Sequence, residues 1–375
     1  MQETIFAVSA LLIGYTYAGY PLLMAWLARR NPQASPPLLN DADCPQVTAV
    51  IAVHNEQDRV LGKIADLRAQ DYPQERLTIL FVSDGSTDGT NSLLMDHPQA
   101  ALLAYADRQG KAHAINEAMA TVTTPVVLLC DVRQQAQAHA LRTVVSRLMQ
   151  PGIGAVSGEL AHRDPANPTS AQIGAYWRYE KWIRQSESAV SSVVGATGAF
   201  YAIRREAFRP IAPDTLLDDF EIPMQIIRQG LQVKFESNAL VFDELQKEMA
   251  GERKRKLRTL SGNFQSFTRH PWLFSPGANP IWAQFISHKV LRLVVPYALI
   301  ACLLSCLLSS SAWMQALGLL QIGFYALAAS PRIWPGLSSN RLVSLAHVFT
   351  EMNFTALEAG LRFWLAGRVA RWDKT

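Results

Sequence analysis

The stretch TILFVSDGSTDGT, residues 78–90, is the part of the sequence that decides the fold. Its first five residues favour a buried strand, and the next eight combine two aspartates, two glycines and small hydroxyl side chains. Glycines let a backbone approach a ligand closely, and an acid at a strand end can accept hydrogen bonds from a ring or a ribose. The stretch therefore predicts a strand that ends at a polar binding site.

The same alternation of strand and helix continues on both sides of this stretch. Short apolar runs recur, and amphipathic segments of helical length lie between them. Strands that alternate with helices predict an α/β domain with a Rossmann-like, mostly parallel sheet covered on both faces. The predicted strands are residues 47–53, 78–82, 101–105 and 126–130, and the predicted helices are residues 57–69, 89–96 and 110–121.

Polar residues follow all four of these strands, at the position where α/β sheets bind their ligands. If these residues served only the stability of the fold, four independent coincidences would be needed to place polar groups after all four strands. A single polar ligand that contacts all four strand ends explains the pattern with one cause. Lys111 at a helix start supplies positive charge for a phosphate, as the helix N-terminus also does. We therefore expect a ligand with a hydrogen-bonding ring and a polyphosphate. The residues after the strands include His54, Glu56, Asp84, Asp88, Lys111, Asp131 and Arg133.

Several of these residues also have an ordinary structural interpretation. A lysine such as Lys111 is by default a solvated surface residue, and Glu56 and Asp88 suit helix capping at least as well as ligand contact. The glycines of GIGAVSG, residues 152–158, superficially resemble a dinucleotide fingerprint, but no helix opens after them. We interpret them as turn residues, which counts against a nucleotide-dependent oxidoreductase.

Long uncharged stretches lie near both ends of the chain. Residues 4–28 carry no charge and are long enough to span a hydrocarbon core of about 30 Å. The first three residues supply no basic segment, so an anchor explains this stretch better than a cleaved signal peptide does. Residues 293–331 predict two spans joined at a turn of three serines. Residues 342–366 carry a polar stripe and are either an interfacial helix or a third C-terminal span.

Basic residues set the expected orientation. Arg29 and Arg30 follow the first span, and Arg292 and Arg332 flank the hairpin, so the positive-inside rule places the domain between them in the cytoplasm. The net charge of +4 comes in part from such residues, so nucleic acid is not indicated as a partner. The predicted boundaries are an anchor (1–30), a linker (31–46), the α/β domain (47–245), interfacial basic helices (246–288), a transmembrane hairpin (289–331), and a third span or interfacial helix with a basic tail (332–375).

Several motifs at fitting spacings resemble the inverting family 2 glycosyltransferases of the GT-A fold. They include HNE (54–56), SDGSTDGT (83–90), GKAHAINEA (110–118) and the strand that ends at Asp131. GATGAFYAIRREAF (195–208), LLDDFEIPMQIIRQG (216–230) and RKLRT (255–259) extend the resemblance over roughly residues 46–265. The flanking spans suit the membrane-integrated branch, which includes synthases of cellulose, hyaluronan and poly-N-acetylglucosamine.

The resemblance implies roles for particular residues. An acceptor hydroxyl is a poor nucleophile, so a positioned carboxylate takes its proton, and Asp219 matches that base. A helix-capping role for Asp218 and Asp219 is the alternative from the residues alone. Arg258 matches an arginine that contacts the pyrophosphate, and Asp131 matches the ligand of a Mg²⁺ or Mn²⁺ ion. The remaining implied substrate-binding residues are His54, Glu56, Asp84, Lys111, Arg133 and Asp218.

Three departures from the family pattern affect these expectations. Ser83 stands in place of the first of two acids before the turn, which is a mild change because Asp84 remains. Arg133 replaces the second acid of an Asp-x-Asp pair, so we expect a weaker or more dispensable metal, since Mg²⁺ can share phosphate and water ligands. Thr259 replaces a tryptophan of the processive synthases, which weakens the expectation of a cellulose-type polymerase.

The expected function is that of a multi-pass glycosyltransferase of the inner membrane with its catalytic domain in the cytoplasm. It takes the sugar from a nucleoside-diphosphate donor, expected to be a UDP-sugar, and transfers it with inversion to a polysaccharide in envelope or exopolysaccharide synthesis. A ceramide- or polyprenyl-type lipid acceptor is the near alternative. A catalytically weak scaffold subunit is another, and other polysaccharide-export subunits are possible partners.

Overall fold

The protein is described from a computed structural model, which covers residues 1–162, 168–243 and 249–366. The predicted basic tail after residue 366 lies outside these residues. Eight strands of one sheet occur in the described part, and the four strands predicted from sequence are all present at or within two residues of the expected bounds. The strands are β1 (Val47–Val53), β2 (Leu77–Asp84), β3 (Ala101–Tyr105), β4 (Val126–Cys130), β5 (Gln135–Ala136), β6 (Ile153–His162), β7 (Phe200–Arg204) and β8 (Gln232–Asp243).

The helices of the described part surround this sheet or form a group of long apolar helices. The first is an α-helix with one π-helical segment, Tyr15–Gly19, and the ninth contains another, Phe285–Val290. The principal helices are α1 (Gln2–Arg30), α2 (Val60–Arg68), α3 (Thr90–Met95), α4 (Lys111–Thr121), α5 (Ala140–Leu148), α6 (Pro168–Val190), α7 (Asp218–Arg228), α8 (Met249–Arg269), α9 (Trp282–Leu307), α10 (Ala312–Ala329) and α11 (Arg341–Ala366).

The sheet has the strand order β3-β2-β1-β4-β7-β6-β8-β5. Strands β3, β2, β1 and β4 are parallel, as the alternating sequence pattern predicts. The arrangement changes at β7, which pairs antiparallel with both β4 and β6. Because the carboxyl ends of β1, β2 and β4 lie side by side, the polar residues after these strands gather at one edge of the sheet.

Both faces of the sheet are buried, which explains why its strands are continuous apolar runs. Side chains alternate along a strand, so Ala49 and Ile51 pack with α2 and α5 on one face. Val50 packs with α4 and α7 on the other face. Of the glycines of GIGAVSG, Gly152 lies in the turn before β6 with a φ of 75°, as interpreted from sequence. Gly154 and Gly158 lie within β6, so the interpretation as turn residues is wrong for these two.

Three helices of the described part are long and apolar enough to cross a membrane: Gln2–Arg30, Trp282–Leu307 and Ala312–Arg332. The first and second correspond to the predicted anchor and to the first half of the predicted hairpin. The polar turn of the hairpin lies between Leu307 and Ala312, as expected. Helix α11 covers residues 342–366 and packs against α8, α9 and α10, and both sequence interpretations of this segment remain predictions.

A buried polar network joins the α/β domain to two of these apolar helices. On α6, Glu187 accepts a hydrogen bond of 2.5 Å from the Tyr20 hydroxyl of α1 and lies 2.7 Å from Nδ1 of His288 on α9. Glu180, two turns earlier on α6, accepts a hydrogen bond of 2.5 Å from Arg292 and lies 3.2 Å from Nε2 of His288. Helix α6 is therefore held to both apolar helices by charged contacts.

This network predicts a loss of stability on removal of Glu187, whose side chain is 0% exposed. Glu187→Ala removes the partner of Nδ1 of His288 and of the buried Tyr20 hydroxyl, so we expect a loss of roughly 3 kcal/mol or more. Tyr20→Phe removes one hydrogen bond and should cost about 1 kcal/mol. The midpoint of thermal unfolding in detergent measures both.

Gln185→Ala is the matched control, since Gln185 is exposed on the same helix. The control should unfold at the same temperature as the native protein. A Glu187→Ala protein that unfolds at the same temperature as this control would show that the network contributes nothing.

Candidate active site

Hydrogen bonds tie the ends of β1 and β2 together. Nδ1 of His54 lies 2.7 Å from the carbonyl oxygen of Asp84, and the Glu56 backbone donates to the Thr90 hydroxyl over 2.8 Å. The Glu56 carboxylate accepts a hydrogen bond of 2.6 Å from Arg59. His54 and Glu56 therefore lie at the predicted edge of the sheet. There His54 contacts the end of β2, and Glu56 contacts Thr90 and Arg59. Their contacts with a substrate stay predictions.

Asp84 shapes the loop that leads into α4. Its side chain is 0% exposed, and its two oxygens accept hydrogen bonds of 2.7 and 2.8 Å from the backbone N–H groups of Gln109 and Gly110. Gly85 has a positive φ of 65°, and a Cβ there would lie 2.6 Å from the Arg108 nitrogen. The loop thus comes close enough to β2 to fix the start of α4, where Lys111 lies.

Lys111 joins the end of β4 to the start of α7. Its Nζ lies 3.0 Å from Oδ1 of Asp131 and 3.2 Å from Oδ2 of Asp218. Burial would lower the pKa of Lys111, but the neighbouring acids Asp131, Asp218 and Asp219 outweigh it and raise that pKa. Lys111 is therefore a permanently charged group at the point where the predicted donor-binding and acceptor-activating residues meet.

The surroundings of Asp219 raise its pKa. Burial raises the pKa of Asp219 to about 6, the charge of Asp218 adds to this effect, and Lys111 and Lys289 oppose it. A carboxylate with this pKa is ionised near neutral pH and is still basic enough to accept a proton from a reacting hydroxyl.

The backbone around Asp219 is held in place by the loop before β7. The Ala196 N–H donates to the Asp219 carbonyl oxygen over 2.7 Å. A Cβ at Gly198 would lie 2.9 Å from Oδ2 of Asp219, so only glycine leaves that carboxylate in its position. Asp218 and Asp219 lie in the first turn of α7, where the helix dipole stabilises negative charge, and Leu217 is the N-cap residue.

Arg133 is paired with an acid at the end of β8. Its Nε and Nη2 each donate a hydrogen bond of 3.0 Å to one oxygen of Asp243, which is only 2% exposed. Such a paired fork orients both groups firmly. The contact of Arg133 with a substrate phosphate stays a prediction, and the structure shows the arginine engaged with the end of β8.

Arg258 lies on α8, which packs against the segment before Asp218. A Cβ at Gly262, one turn after Arg258, would lie 2.5 Å from Cγ of Leu217. Nε of Arg258 is buried without a hydrogen-bond partner among the described residues. A buried guanidinium nitrogen of this kind is costly unless it receives an acceptor, which suits the predicted role in binding a pyrophosphate.

A divalent cation would have one protein carboxylate here. The residues that the structure describes contain no group of three or more His, Cys, Asp or Glu side chains that could hold a metal. Asp131 is 40% exposed, and Lys111 contacts its Oδ1. This arrangement fits an ion held by Asp131 together with substrate phosphate and water, which Mg²⁺ and Mn²⁺ both accept.

Three residues near Asp219 were not predicted from the sequence to belong to the site. Gly198 belongs to a motif that was recognised, but its close approach to a carboxylate is visible only in three dimensions. Arg184 and Lys289 lie on helices α6 and α9, and both interact electrostatically with Asp219. No local pattern distinguishes such residues from ordinary surface charges, because they approach Asp219 only through tertiary folding.

The fold of the described residues is similar to that of a solved GT-A enzyme. A solved structure of a mannosyltransferase from Pyrobaculum calidifontis, in complex with GDP-Man and Mn²⁺, covers 97% of this chain and 99% of its own with a TM-score of 0.73. The two sequences are 23% identical, so this likeness concerns the fold.

The sequence comparisons agree with the fold. Residues 48–211 match the model of glycosyl transferase family 2. Beta-monoglucosyldiacylglycerol synthase from Synechocystis is 27% identical over 53% of this chain and 45% of its own length. Poly-beta-1,6-N-acetyl-D-glucosamine synthase from Staphylococcus aureus is 22% identical over 62% of this chain and 58% of its own. The chain spans about half the length of these curated relatives. The similarity to glycosyl transferase family 2 covers residues 48–211 of this chain.

Proposed function

We propose that this protein is a membrane glycosyltransferase that transfers a sugar, with inversion, from a nucleoside-diphosphate sugar to an acceptor hydroxyl at the membrane surface. The observation that carries the proposal is the position of Asp219. Its carboxylate lies between the polar ends of β1, β2 and β4 and the apolar helix α9, and its pKa is raised to about 6.

Asp219 acts as the general base. It takes the proton of the acceptor hydroxyl as the oxygen attacks the anomeric carbon of the donor sugar, and the nucleoside diphosphate leaves from the opposite face. A single displacement of this kind inverts the anomeric configuration. The two departing phosphates carry negative charge, which Lys111 and Arg258 can stabilise. Asp218 keeps Lys111 directed toward this region through their 3.2 Å ion pair.

A divalent cation would add to this stabilisation. Asp131 would hold the ion, which would neutralise phosphate charge while the leaving group departs. Lys111 contacts Asp131 in the structure, so this chain supplies a permanent positive charge at the same carboxylate. We therefore propose that the metal is bound weakly, as the replacement of the second acid by Arg133 predicts.

The position of Asp219 favours a lipid acceptor. Phe220 follows Asp219 directly, and its ring packs near Phe285 and Lys289 of α9, a helix with the length and composition of a membrane span. A hydroxyl carried by a membrane lipid can approach Asp219 from that side without leaving the interface. A donor of the UDP-sugar type remains part of the proposal.

Transfer to a polysaccharide is the second candidate. It is supported by the similarity to poly-N-acetylglucosamine synthase over 62% of this chain. Thr259 does not supply the aromatic surface on which the processive synthases hold a sugar, although Trp182 on α6 is 37% exposed. Product length separates the two acceptors, because a lipid product gains one sugar whereas a polymer product forms a ladder.

Removal of the base tests the central assignment. In nanodiscs supplied with radiolabelled nucleotide sugars, Asp219→Asn should lower the transfer rate by roughly 10² to 10⁴-fold, the range that a general base contributes. The substitution should not destabilise the fold, because burial disfavours the ionised carboxylate that it removes. The rate of label transfer and the midpoint of thermal unfolding measure the two effects.

Asp96→Asn is the matched control, since Asp96 is exposed at the end of α3. It should leave the rate and the unfolding midpoint unchanged. An Asp219→Asn protein that retains the native transfer rate would contradict the assignment of Asp219 and the mechanism with it.

The ion pair of Arg133 provides a separate test of the metal. Arg133→Asp removes the partner of Asp243 and adds a carboxylate near Asp131, so the variant should lose several degrees of thermal stability and regain them in Mn²⁺. Arg133→Ala should lose the same stability without recovery in Mn²⁺, because it adds no ligand. The native protein should respond to Mn²⁺ only slightly when no nucleotide is present.

The midpoint of thermal unfolding is measured with and without millimolar Mn²⁺ for the native protein, Arg133→Asp and Arg133→Ala. Equal recovery of the two variants would show that the ion does not bind at residues 131–133. A native protein that gains as much as Arg133→Asp would show that the single carboxylate already makes a strong site.

A further inference from the structure

Lys289 approaches Asp219 from the membrane side. Its Nζ lies 5.9 Å from the centroid of the Phe220 ring, and its charge acts on Asp219. Lys289 belongs to the π-helical segment Phe285–Val290, which turns side chains away from the directions of a regular α-helix. The side chain is thereby directed along α7 toward the candidate base.

Arg184 approaches the same region from α6. Its two Nη atoms donate hydrogen bonds of 2.6 Å to the Thr197 hydroxyl and 3.1 Å to the Ser157 hydroxyl. Thr197 lies in the loop that packs on Asp219. Both partners are neutral, so these contacts orient the guanidinium group without neutralising its charge.

Apart from Asp219, two nearby acids already have other partners. Glu180 is bound by Arg292 and His288, and Glu187 by Tyr20 and His288. Within the described part of the chain, neither Lys289 nor Arg184 lies within 4.0 Å of a carboxylate oxygen. Two partly buried cations that repel each other are costly, and a bound anion would remove this cost.

The depth of Lys289 indicates where such an anion comes from. Lys289 lies four residues before Leu293, at which the uncharged run of α9 and α10 begins. The layer just outside the hydrocarbon core of a bilayer holds the lipid headgroups. Lys289 therefore lies at the level of lipid phosphates, on the same side of the molecule as Asp219.

We propose that Lys289 and Arg184 form a subsite for the phosphate group of the acceptor lipid, with the lipid hydroxyl directed toward Asp219. Lysine supplies a point charge and arginine a planar set of donors, and a phosphate has enough oxygens to bind both at once. Lys111 and Arg258 remain for the phosphates of the donor. The inference rests on the proposed function and specifies the chemical class of its acceptor.

Lipid binding by the Asp219→Asn protein tests the subsite apart from turnover. Native mass spectrometry in detergent compares phosphatidylglycerol, which carries a phosphate and hydroxyl groups, with diacylglycerol, which carries a hydroxyl and no phosphate. We expect about tenfold stronger binding of phosphatidylglycerol, as charged hydrogen bonds provide. Adding Lys289→Met or Arg184→Gln should remove about tenfold in affinity for phosphatidylglycerol and leave diacylglycerol binding unchanged.

Two further variants separate charge from packing. Lys289→Arg should retain phosphatidylglycerol binding, because it keeps a cation at the same place. Arg178→Gln is the matched control for Arg184→Gln, since Arg178 is exposed six residues earlier on α6, and it should also retain binding. Thermal unfolding identifies any variant that fails to fold. If the variant of one cation fails, phosphatidylglycerol binding by the variant of the other cation decides the test.

Equal binding of the two lipids, or phosphatidylglycerol binding that survives both charge removals, would overturn the subsite. Inorganic phosphate is the third probe. If millimolar phosphate binds with the same dependence on Lys289 and the lipid does not, the site takes a free phosphate and the lipid proposal is wrong. Because these readouts need no turnover, their failure is distinct from a failure of Asp219 as base, which the transfer assay reports.

Discussion

The rest of the site depends on the electrostatic interaction of the partly buried Asp219 carboxylate with cations on two sides. On the side of the sheet, Lys111 lies between Asp131 and Asp218 and also acts on Asp219. On the side of the apolar helices, Lys289 acts on the same carboxylate. These cations limit the increase in pKa that burial and Asp218 cause, so that Asp219 is ionised near pH 7.

The arrangement of Asp219 requires several elements to be in place at the same time. Asp84 holds the loop that starts α4 and therefore positions Lys111. Gly198 gives the carboxylate room, and α9 brings Lys289 to it. Helix α6 is connected to α1 and α9 through Glu187 and His288, so the domain and the apolar helices meet through buried polar contacts. This geometry places the candidate base beside the apolar helices, as the proposed approach of a lipid acceptor requires.

The sequence predicted the parallel half of the sheet closely because that half has a simple physical signature. Strands β1, β3 and β4 match residue for residue, since strands buried on both faces are continuous apolar runs bounded by polar turns. The short strand β5 and the long strand β8 were not predicted, because their place depends on partners distant in sequence. The gathering of Asp84, Lys111 and Asp131 at one edge followed from topology alone. The engagement of Arg133 with Asp243, which is 110 residues away, could not be predicted from local pattern.

The dependence of the transfer rate on pH tests the role of Asp219 most directly. A base must be ionised to act, so kcat/KM should be constant at neutral pH and fall about tenfold per unit below the pKa of about 6. Asp218→Asn should move this fall to lower pH, because it removes the neighbouring negative charge that helps to raise the pKa of Asp219. A rate that stays constant down to pH 4, or a fall that Asp218→Asn leaves in place, would contradict the account.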